Sequence, residues 1–124
     1  MLRKSDIKTV LEILSREYGG TGTALSFATP FQLLISTMLA AQSTDVQVNK
    51  MTGQLYRDYP DARSFLRMSL PELEEKIRSI GLYRNKARNI LATCRVLVDE
   101  YDGEVPATRE KLVKLPGVGR KTAN

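Results

Sequence analysis

The stretch PFQLLISTMLAAQ, from Pro30 to Gln42, decides the fold class of this chain of 124 residues. Thr29 and Pro30 are typical of a helix start, because a threonine hydroxyl can accept from an unpaired backbone N–H and proline suits the first helical position. Apolar residues then occupy most sides of the helix that follows. Since a helix that is apolar nearly all round must be buried, the sequence predicts a central helix surrounded by others.

Helical spacing of apolar residues continues on both sides of this central segment. Ser69 and Glu72 form a capping-box pattern at the start of one helix, and Gly81 is the expected left-handed residue after its end. No segment alternates apolar and polar residues for long enough to predict a strand, so we expect an all-α multi-helix bundle. The other expected helices are an N-terminal one with its apolar stripe at 7–14, one from Thr44 to before Pro60, and three over about 62–68, 84–101 and 108–114.

Composition places the chain among ordinary globular proteins. Hydrophobic residues make up 42% and charged residues 27%, and the length suits one domain. The longest apolar runs are far too short to cross a bilayer, so no membrane partner is expected. The single cysteine, Cys94, excludes an internal disulfide and a cysteine metal cage, and the helical stripe around it predicts a core position. We therefore expect a cytoplasmic protein in a reducing setting, nucleoid-associated if the source is prokaryotic.

The charge pattern suggests a polyanionic partner. The formal net charge is +5 and the sequence pI is about 9.5. Six basic residues and no acidic one lie between Lys76 and Arg95, and five more lie between Arg109 and Lys121, opposed only by Glu110. Two solvated helix faces would produce the same pattern, so charge alone leaves both interpretations open.

The segment LPGVGRKTAN, from Leu115 to Asn124, has the composition of a phosphate-binding turn. A Walker loop for nucleotides is disfavoured, because that motif places its lysine directly after the last glycine and follows a strand. Here Arg120 follows Gly119, and the preceding element is a predicted helix. The phosphate is therefore more plausibly part of a nucleic-acid backbone.

Each residue of this segment suits a helix-hairpin-helix. Pro116 ends the preceding helix, and Gly117 and Gly119 allow a tight turn without side chains between the backbone and a ligand. The amides from Val118 onward then open a new helix whose N-terminus favours an anion, while Leu115 and Val118 tie the hairpin to the core. Such a hairpin grips a backbone phosphate without reading a base. A glycine-rich connection with no ligand is the alternative.

Lys121 lies in the first turn of the helix after the hairpin, beside Arg120. The neighbouring charge and the positive helix end both disfavour its ammonium form. A neutral amine near pH 7 is a nucleophile that can form a Schiff base with the C1′ atom of a sugar. The spacing alone favours the simpler role of a lysine that contacts a phosphate.

Three stretches together resemble the endonuclease III family of the helix-hairpin-helix superfamily. They are FQLLISTMLAAQSTDVQVNK (31–50), IGLYRNKARNI (80–90) and DGEVPATREKLVKLPGVGRKTAN (102–124). The resemblance runs from about Ile7 to Asn124, and it implies two all-α lobes with a DNA cleft between them. It also implies a bifunctional DNA glycosylase and abasic-site lyase of base-excision repair. The expected partner is duplex DNA that carries damaged, oxidised pyrimidines or abasic sites.

Matched residue by residue, Lys121 corresponds to the family's Schiff-base nucleophile, and the resemblance favours that catalytic role. Gln42 and Leu82 match the residues that enter the duplex as the damaged nucleotide is flipped out, and Asp45 matches an aspartate near the pocket. The DNA-binding hairpin is matched by Leu115, Pro116, Gly117, Val118, Gly119 and Arg120. On local chemistry alone, Gln42 is equally a polar cap in a loop, Leu82 a helix-end contact and Asp45 a helix start.

Relatives with mismatch specificity replace the lysine of the hairpin helix. Those that act on adenine mismatches also carry a glutamate near Thr37 and Met38, where this sequence has none. Lys121 therefore favours the bifunctional branch. A mismatch-specific glycosylase and a non-catalytic helix-hairpin-helix DNA-binding module are the alternatives.

Two family features lie downstream of the hairpin: the catalytic aspartate and four cysteines that hold a [4Fe–4S] cluster. Neither lies within these 124 residues, so the resemblance predicts an N-terminal fragment of a monomeric parent that carries the cluster, with no cofactor in this chain. Residues 1–20 would belong to the second lobe, and residues 21–124 to an incomplete, truncated helix-hairpin-helix domain. We expect the fragment alone to be weakly active or inactive.

Overall fold

The computed structural model describes residues 28–40, 43–106, 109–112 and 114–115. These ranges hold helices and no strand, which confirms the predicted all-α class. The expected helix around 7–14 lies outside the described residues. The helices are α1 (Pro30–Ala40), α2 (Asp45–Asp58), α3 (Ala62–Phe65), α4 (Leu70–Lys76), α5 (Tyr83–Tyr101) and α6 (Arg109–Leu112).

Helix α1 is the centre of the bundle. Every residue from Phe31 to Ala40 is buried, and α1 packs against both α2 and α5. Thr29 caps its start, because the Thr29 hydroxyl accepts from the backbone N–H of Gln32 at 3.1 Å. The prediction of a central buried helix that begins at Pro30 is therefore confirmed.

The polar side chains that α1 buries are satisfied internally, as burial requires. Thr37 donates to the carbonyl oxygen of Leu33 at 2.8 Å, one turn back. The Tyr56 hydroxyl on α2 donates to the carbonyl oxygen of Gln32 at 2.9 Å and lies 2.6 Å from the Ser36 hydroxyl. Because a phenol has one proton, Ser36 is the donor in this last bond. Together these bonds join α1 to α2.

Two helix starts match the sequence prediction closely. The Thr44 hydroxyl accepts from the backbone N–H of Gln47 at 3.1 Å and so caps α2. At α4 the capping box is complete: Ser69 accepts from the Glu72 backbone at 3.2 Å, and the Glu72 carboxylate accepts from the Ser69 backbone at 3.1 Å. Local hydrogen bonds of this kind are set by neighbouring residues in the chain, which is why the sequence predicts them.

The prediction that Gly81 supplies the left-handed residue after α4 is wrong. Helix α4 ends at Lys76, and the positive φ in this segment belongs to Leu82 (φ 60°) rather than to Gly81. The intervening chain turns instead, with the Ile80 N–H donating to the Ile77 carbonyl oxygen at 2.9 Å. Both isoleucines are buried in the core, so core packing rather than a glycine cap decides where this helix stops.

Helix α5 is the longest of the described helices, with 19 residues, and its start near residue 84 and its end before Asp102 confirm the prediction. Cys94 on this helix has no exposed surface, and burial raises the pKa of its thiol to about 12. Asp102 (φ 56°) and Gly103 (φ 83°) then turn the chain through the left-handed region. No helix in the described ranges is both long and apolar enough to cross a membrane.

Candidate nucleic-acid interface

Leu82 is an exposed apolar side chain held in an unfavourable backbone conformation. It is the residue immediately before α5, with φ 60° and ψ 33°, and 56% of its surface is exposed. A left-handed conformation costs a residue with a Cβ atom roughly 1–2 kcal/mol. The Lys86 N–H donates to the Leu82 carbonyl oxygen at 3.0 Å, so the first hydrogen bond of α5 holds the strained residue in place. Such a side chain is presented to the surroundings rather than packed inside.

Exposed arginines line the outer face of the same helix. Arg84, Arg88 and Arg95 are all exposed, and at 3.6 residues per turn they fall within a stripe about 40° wide. The ion pairs found in the described ranges use other arginines, namely Arg63 with Asp102 and Arg78 with Glu75. Helix α5 therefore has an apolar side chain at its start and a row of positive charge along its outer face.

Lys86 does not belong to this outer row. Only 7% of its surface is exposed, and its Nζ atom donates to the carbonyl oxygen of Leu39 at 3.0 Å, in the last turn of α1. Helix α1 has no basic residue of its own in that turn, so Lys86 supplies the positive charge that a helix C-terminus favours. Burial lowers the pKa of the Lys86 ammonium to about 8.

By charge alone, Lys86 groups with the surface residues between Lys76 and Arg95, so this role is not predicted from the sequence. A signal was present, because Lys86 lies four residues before Ile90 and eleven before Leu97, both of which are fully buried. Residues at these separations share one helix face. A lysine on a buried stripe needs a polar partner inside the protein, and here that partner is a helix-end carbonyl.

Gln47 makes a second link that sequence reasoning missed. Its side-chain amide, in the first turns of α2, donates to the carbonyl oxygen of Ser79 at 2.7 Å. Ser79 lies three residues before Leu82 in the turn between α4 and α5. The start of α2 is therefore joined directly to the turn that presents Leu82. No local sequence pattern predicts this bond, since the partners are 32 residues apart.

Leu115 is the first residue of the predicted hairpin and the last residue that the structure describes. Its side chain is 3% exposed and belongs to the core, which agrees with the expected core contact of this residue, while the hairpin after it stays a prediction. Two consecutive turn bonds follow α6: Lys114 N–H to the Lys111 carbonyl at 3.2 Å, and Leu115 N–H to the Leu112 carbonyl at 3.1 Å. The Lys111 ammonium lies 6.0 Å from the centre of the Tyr101 ring, which connects this segment to the end of α5.

The remaining predicted site residues are described only in part or not at all. Asp45 is the first residue of α2, and its part near the pocket stays a prediction. The other predicted residues lie outside the described ranges, so their roles also stay predictions: Gln42, Pro116, Gly117, Val118, Gly119, Arg120 and Lys121.

One cavity in the described part of the chain has a volume of about 260 Å³. It lies between the start of α1 and the turn after α5. Its lining includes the carboxylates of Asp61 and Glu104 and none of the predicted site residues. Two carboxylates disfavour a polyanion, so this cavity is separate from the candidate interface.

An iron–sulfur cluster does not fit the residues of this chain. A [4Fe–4S] cluster is held by several cysteine thiolates, and the chain has one cysteine. That cysteine, Cys94, is enclosed in the core. Within the described ranges, no group of three or more histidine, cysteine, aspartate or glutamate side chains is arranged to hold a metal ion.

An all-helical fold that exposes an apolar residue and a row of arginines at one helix is consistent with a DNA-repair protein, and the comparisons with known proteins identify the class. A family described as "HhH-GPD superfamily base excision DNA repair protein" matches residues 35–123. The chain belongs to this family.

Relatives within the family are named endonuclease III. The endonuclease III of Synechocystis sp. is 48% identical over 122 residues, which cover 98% of this chain and 56% of the relative. That of Bacillus subtilis is 43% identical over 124 residues, covering all of this chain and 57% of the relative. The chain thus spans a little over half the length of these curated relatives. The resemblance inferred from the three sequence stretches is confirmed.

Solved structures agree with this assignment. A trapped covalent intermediate of endonuclease III with DNA, in an estranged-adenine complex, is similar at a TM-score of 0.77 with 48% identity, covering 98% of this chain and 57% of that one. A thermostable thymine-DNA glycosylase is similar at a TM-score of 0.72 with 26% identity, covering 94% and 54%. The fold is therefore the all-α helix-hairpin-helix glycosylase fold.

Proposed function

We propose that this chain carries the duplex-penetrating and nucleophile-bearing part of a base-excision DNA glycosylase with abasic-site lyase activity. Its substrate is duplex DNA with an oxidised pyrimidine or an abasic site. The observation that carries the proposal is Leu82, an apolar side chain that is 56% exposed and held at φ 60°. Strain that the surrounding structure maintains at an exposed residue is typical of a functional position.

Extrusion of a nucleotide from a duplex costs a few kcal/mol of lost stacking and pairing. An apolar wedge that enters the gap offsets part of that cost, because it replaces the lost stacking partner. Leu82 has the chemistry and the exposure for this role. Gln42 supplies the hydrogen-bonding groups that a base left without its partner requires.

The arginine row on α5 supports binding to the DNA backbone. Arg84, Arg88 and Arg95 carry positive charge away from the Leu82 end of the helix. Contacts to phosphates give affinity without sequence preference and make binding depend steeply on salt. A repair enzyme that searches duplex DNA for rare lesions needs that kind of contact.

Lys121 supplies the chemistry in this proposal. As a neutral amine it adds to C1′ of the deoxyribose, with release of the base or, at an abasic site, of water, and a Schiff base results. Loss of a proton from C2′ then expels the 3′ phosphate and cleaves the strand, and water finally releases the lysine. The similarity at 48% identity to an endonuclease III trapped covalently on DNA supports this mechanism for the chain.

Borohydride trapping on a duplex with one abasic site tests the proposal directly. Because borohydride captures each Schiff base as it forms, even the weak activity expected of the 124-residue chain should give a stable adduct. Lys121→Gln should form none, and Lys114→Gln should form as much as the unsubstituted chain. Lys114 suits the comparison because it is exposed and the substitution makes the same change of charge. An adduct that survives Lys121→Gln would exclude the assigned nucleophile. Duplex binding without any adduct in the unsubstituted chain would identify a binding module instead.

A further inference from the structure

Two side-chain hydrogen bonds join the segment that presents Leu82 to the helices on either side of Gln42. Lys86 on α5 donates to the Leu39 carbonyl at the end of α1, at 3.0 Å. Gln47 on α2 donates to the Ser79 carbonyl before Leu82, at 2.7 Å. We call this pair of bonds the clamp. One bond lies before Gln42 in the chain and the other lies after it.

Lys86 connects Leu82 to the last turn of α1. Its backbone N–H bonds to the Leu82 carbonyl at 3.0 Å, and its side chain reaches the last turn of α1. A displacement of Leu82 is therefore transmitted to the end of α1 through a single residue. Burying an ammonium carries a desolvation penalty, so a lysine is a costly way merely to fill space at this point of the core.

Gln47 contributes little to the core, because it is exposed. Its backbone is already capped by Thr44, so its side chain is not needed to begin α2. The side chain instead crosses to Ser79. An exposed bond across two elements orients them more than it stabilises the fold, since water competes for both partners.

A backbone hydrogen bond joins the end of α1 to Ser43, two residues before α2 begins. The Ser43 N–H donates to the Ala40 carbonyl at 2.9 Å, and Gln42 lies between these two residues in the chain. The last turn of α1 therefore bonds to both Lys86 and Ser43. Thr44 caps the start of α2.

We propose that the clamp holds the segment that presents Leu82 in a fixed position against the end of α1 and the start of α2, so that Leu82 can enter a gap in the duplex. Lys86 and Gln47 are positioning residues for base extrusion, and neither touches the reacting atoms. This inference rests on the proposed function. Its physical basis is that an apolar wedge fills a gap of one nucleotide only when the elements that support it are rigid relative to each other.

The test uses two duplexes, one intact and one with a tetrahydrofuran abasic analogue opposite 2-aminopurine. Binding is measured by anisotropy on both, and extrusion by the rise in 2-aminopurine fluorescence on the second. The clamp variants are Gln47→Ala and Lys86→Met. Gln54→Ala is the control for the first, because Gln54 is an exposed glutamine on α2 that bonds within its own helix to Asp58 at 3.1 Å. Cys94→Ala is the control for the second, because it weakens the buried face of α5 two turns beyond Lys86.

Gln47→Ala should bind intact duplex as the unsubstituted chain does. Its preference for the abasic analogue should fall between about twofold and tenfold, which is the range expected for one lost hydrogen bond. Lys86→Met should lose about tenfold, since its bond involves a charge. Both should lose part of the fluorescence rise, and both controls should keep preference and fluorescence. Because Gln47 is exposed, its variant carries the test even if Lys86→Met does not fold.

The clamp is excluded if Gln47→Ala keeps the full preference and fluorescence rise, or if Gln54→Ala loses them equally. A failure of the proposed function gives a different result. In that case the unsubstituted chain itself shows no preference for the abasic analogue and no fluorescence rise, and the inference that rests on it falls as well.

Discussion

The Tyr56 hydroxyl on α2 and the Ser36 hydroxyl on α1 lie 2.6 Å apart in the interior of the bundle. Tyr56 also donates to the Gln32 carbonyl at 2.9 Å, so one phenol connects two points on the central helix. These bonds hold the last turn of α2 against the first turn and the middle of α1. The two helices are therefore joined by buried side-chain bonds as well as by apolar packing.

Tyr56→Phe should lower the free energy of unfolding by about 1–2 kcal/mol, because Ser36 loses its buried acceptor. The variant should also be less sensitive to alkali. Burial raises the pKa of Tyr56 well above its usual 10.0, so above that pH the unfolded chain loses the phenolic proton while the folded chain keeps it. Stability therefore falls as pH rises above 10.0. Urea unfolding at pH 8 and at pH 11 measures both effects, and an equal decline in the two proteins would contradict this account.

Leu82→Asn should stabilise the fold and impair lesion recognition. Asparagine tolerates the left-handed region better than leucine does, so up to about 1 kcal/mol of strain is relieved. The loss of apolar contact is small because 56% of Leu82 is already exposed. Thermal unfolding and the preference for a duplex with an abasic analogue are the two measurements.

Val46→Asn is the matched control for Leu82→Asn. Val46 is the other large hydrophobic residue exposed in the described part of the chain, at 74%, and it lies in the first turn of α2 without a positive φ. This control should not gain stability, because there is no backbone strain to relieve. A similar gain in both variants would show that surface polarity, not strain, is responsible.

Gly103→Ala should destabilise the chain by about 1–2 kcal/mol, because its φ of 83° is unfavourable for any residue with a Cβ atom. The new Cβ would also lie 2.7 Å from Nη1 of Arg63. That contact is relieved easily, since it involves the end of a flexible side chain. The double variant with Arg63→Ala should therefore keep most of the loss.

Gly53→Ala is the opposite case in the same chain. Gly53 lies inside α2, and a Cβ atom there meets nothing within 4 Å. Replacement by the better helix former should raise stability by roughly 0.5–1 kcal/mol. Chemical denaturation of Gly53→Ala and Gly103→Ala measures both changes in the free energy of unfolding. A loss of stability in Gly53→Ala would show that the helix surface at this position is occupied.

Arg84→Gln and Arg88→Gln should each reduce the salt dependence of duplex binding. If each arginine contacts one phosphate, the slope of log K against log salt concentration should become shallower by about 0.9 per substitution. Arg57→Gln makes the same change of charge at an exposed position near the end of α2 and should leave the slope unchanged. If all three variants keep the slope of the unsubstituted chain, the arginine row on α5 lies away from the DNA.

The features that the sequence predicts well depend on residues close together in the chain. Thr44 and Ser69 mark helix starts because a cap needs only a side-chain oxygen and an amide two or three residues later. The burial of α1 follows from its composition, and the core position of Cys94 follows from its helical stripe. The resemblance to a repair family rests on three stretches, each of which is contiguous in the sequence.

The sequence does not predict the conformation or the partners of three residues: Gly81, Lys86 and Gln47. Glycine is the usual left-handed residue after a helix, yet here the positive φ falls on Leu82 because Ile77 and Ile80 turn into the core first. By charge alone, Lys86 is one of six basic residues expected at the surface. Its helix face, however, is the one that carries the buried Ile90. Gln47 has no local signal at all, since its partner lies on another element.

By itself, then, the sequence determined that this is an all-α protein, where several of its helices begin, which helix lies at its centre and to which repair family it belongs. Only the tertiary structure decided which charges are on the surface, which residue bears backbone strain and how the Leu82 turn is joined to the helices flanking Gln42. The reason is physical. Helix caps and periodic burial are interactions over three or four residues, whereas the clamp bonds close loops of 32 and 47 residues and exist only once α1, α2 and α5 have packed together.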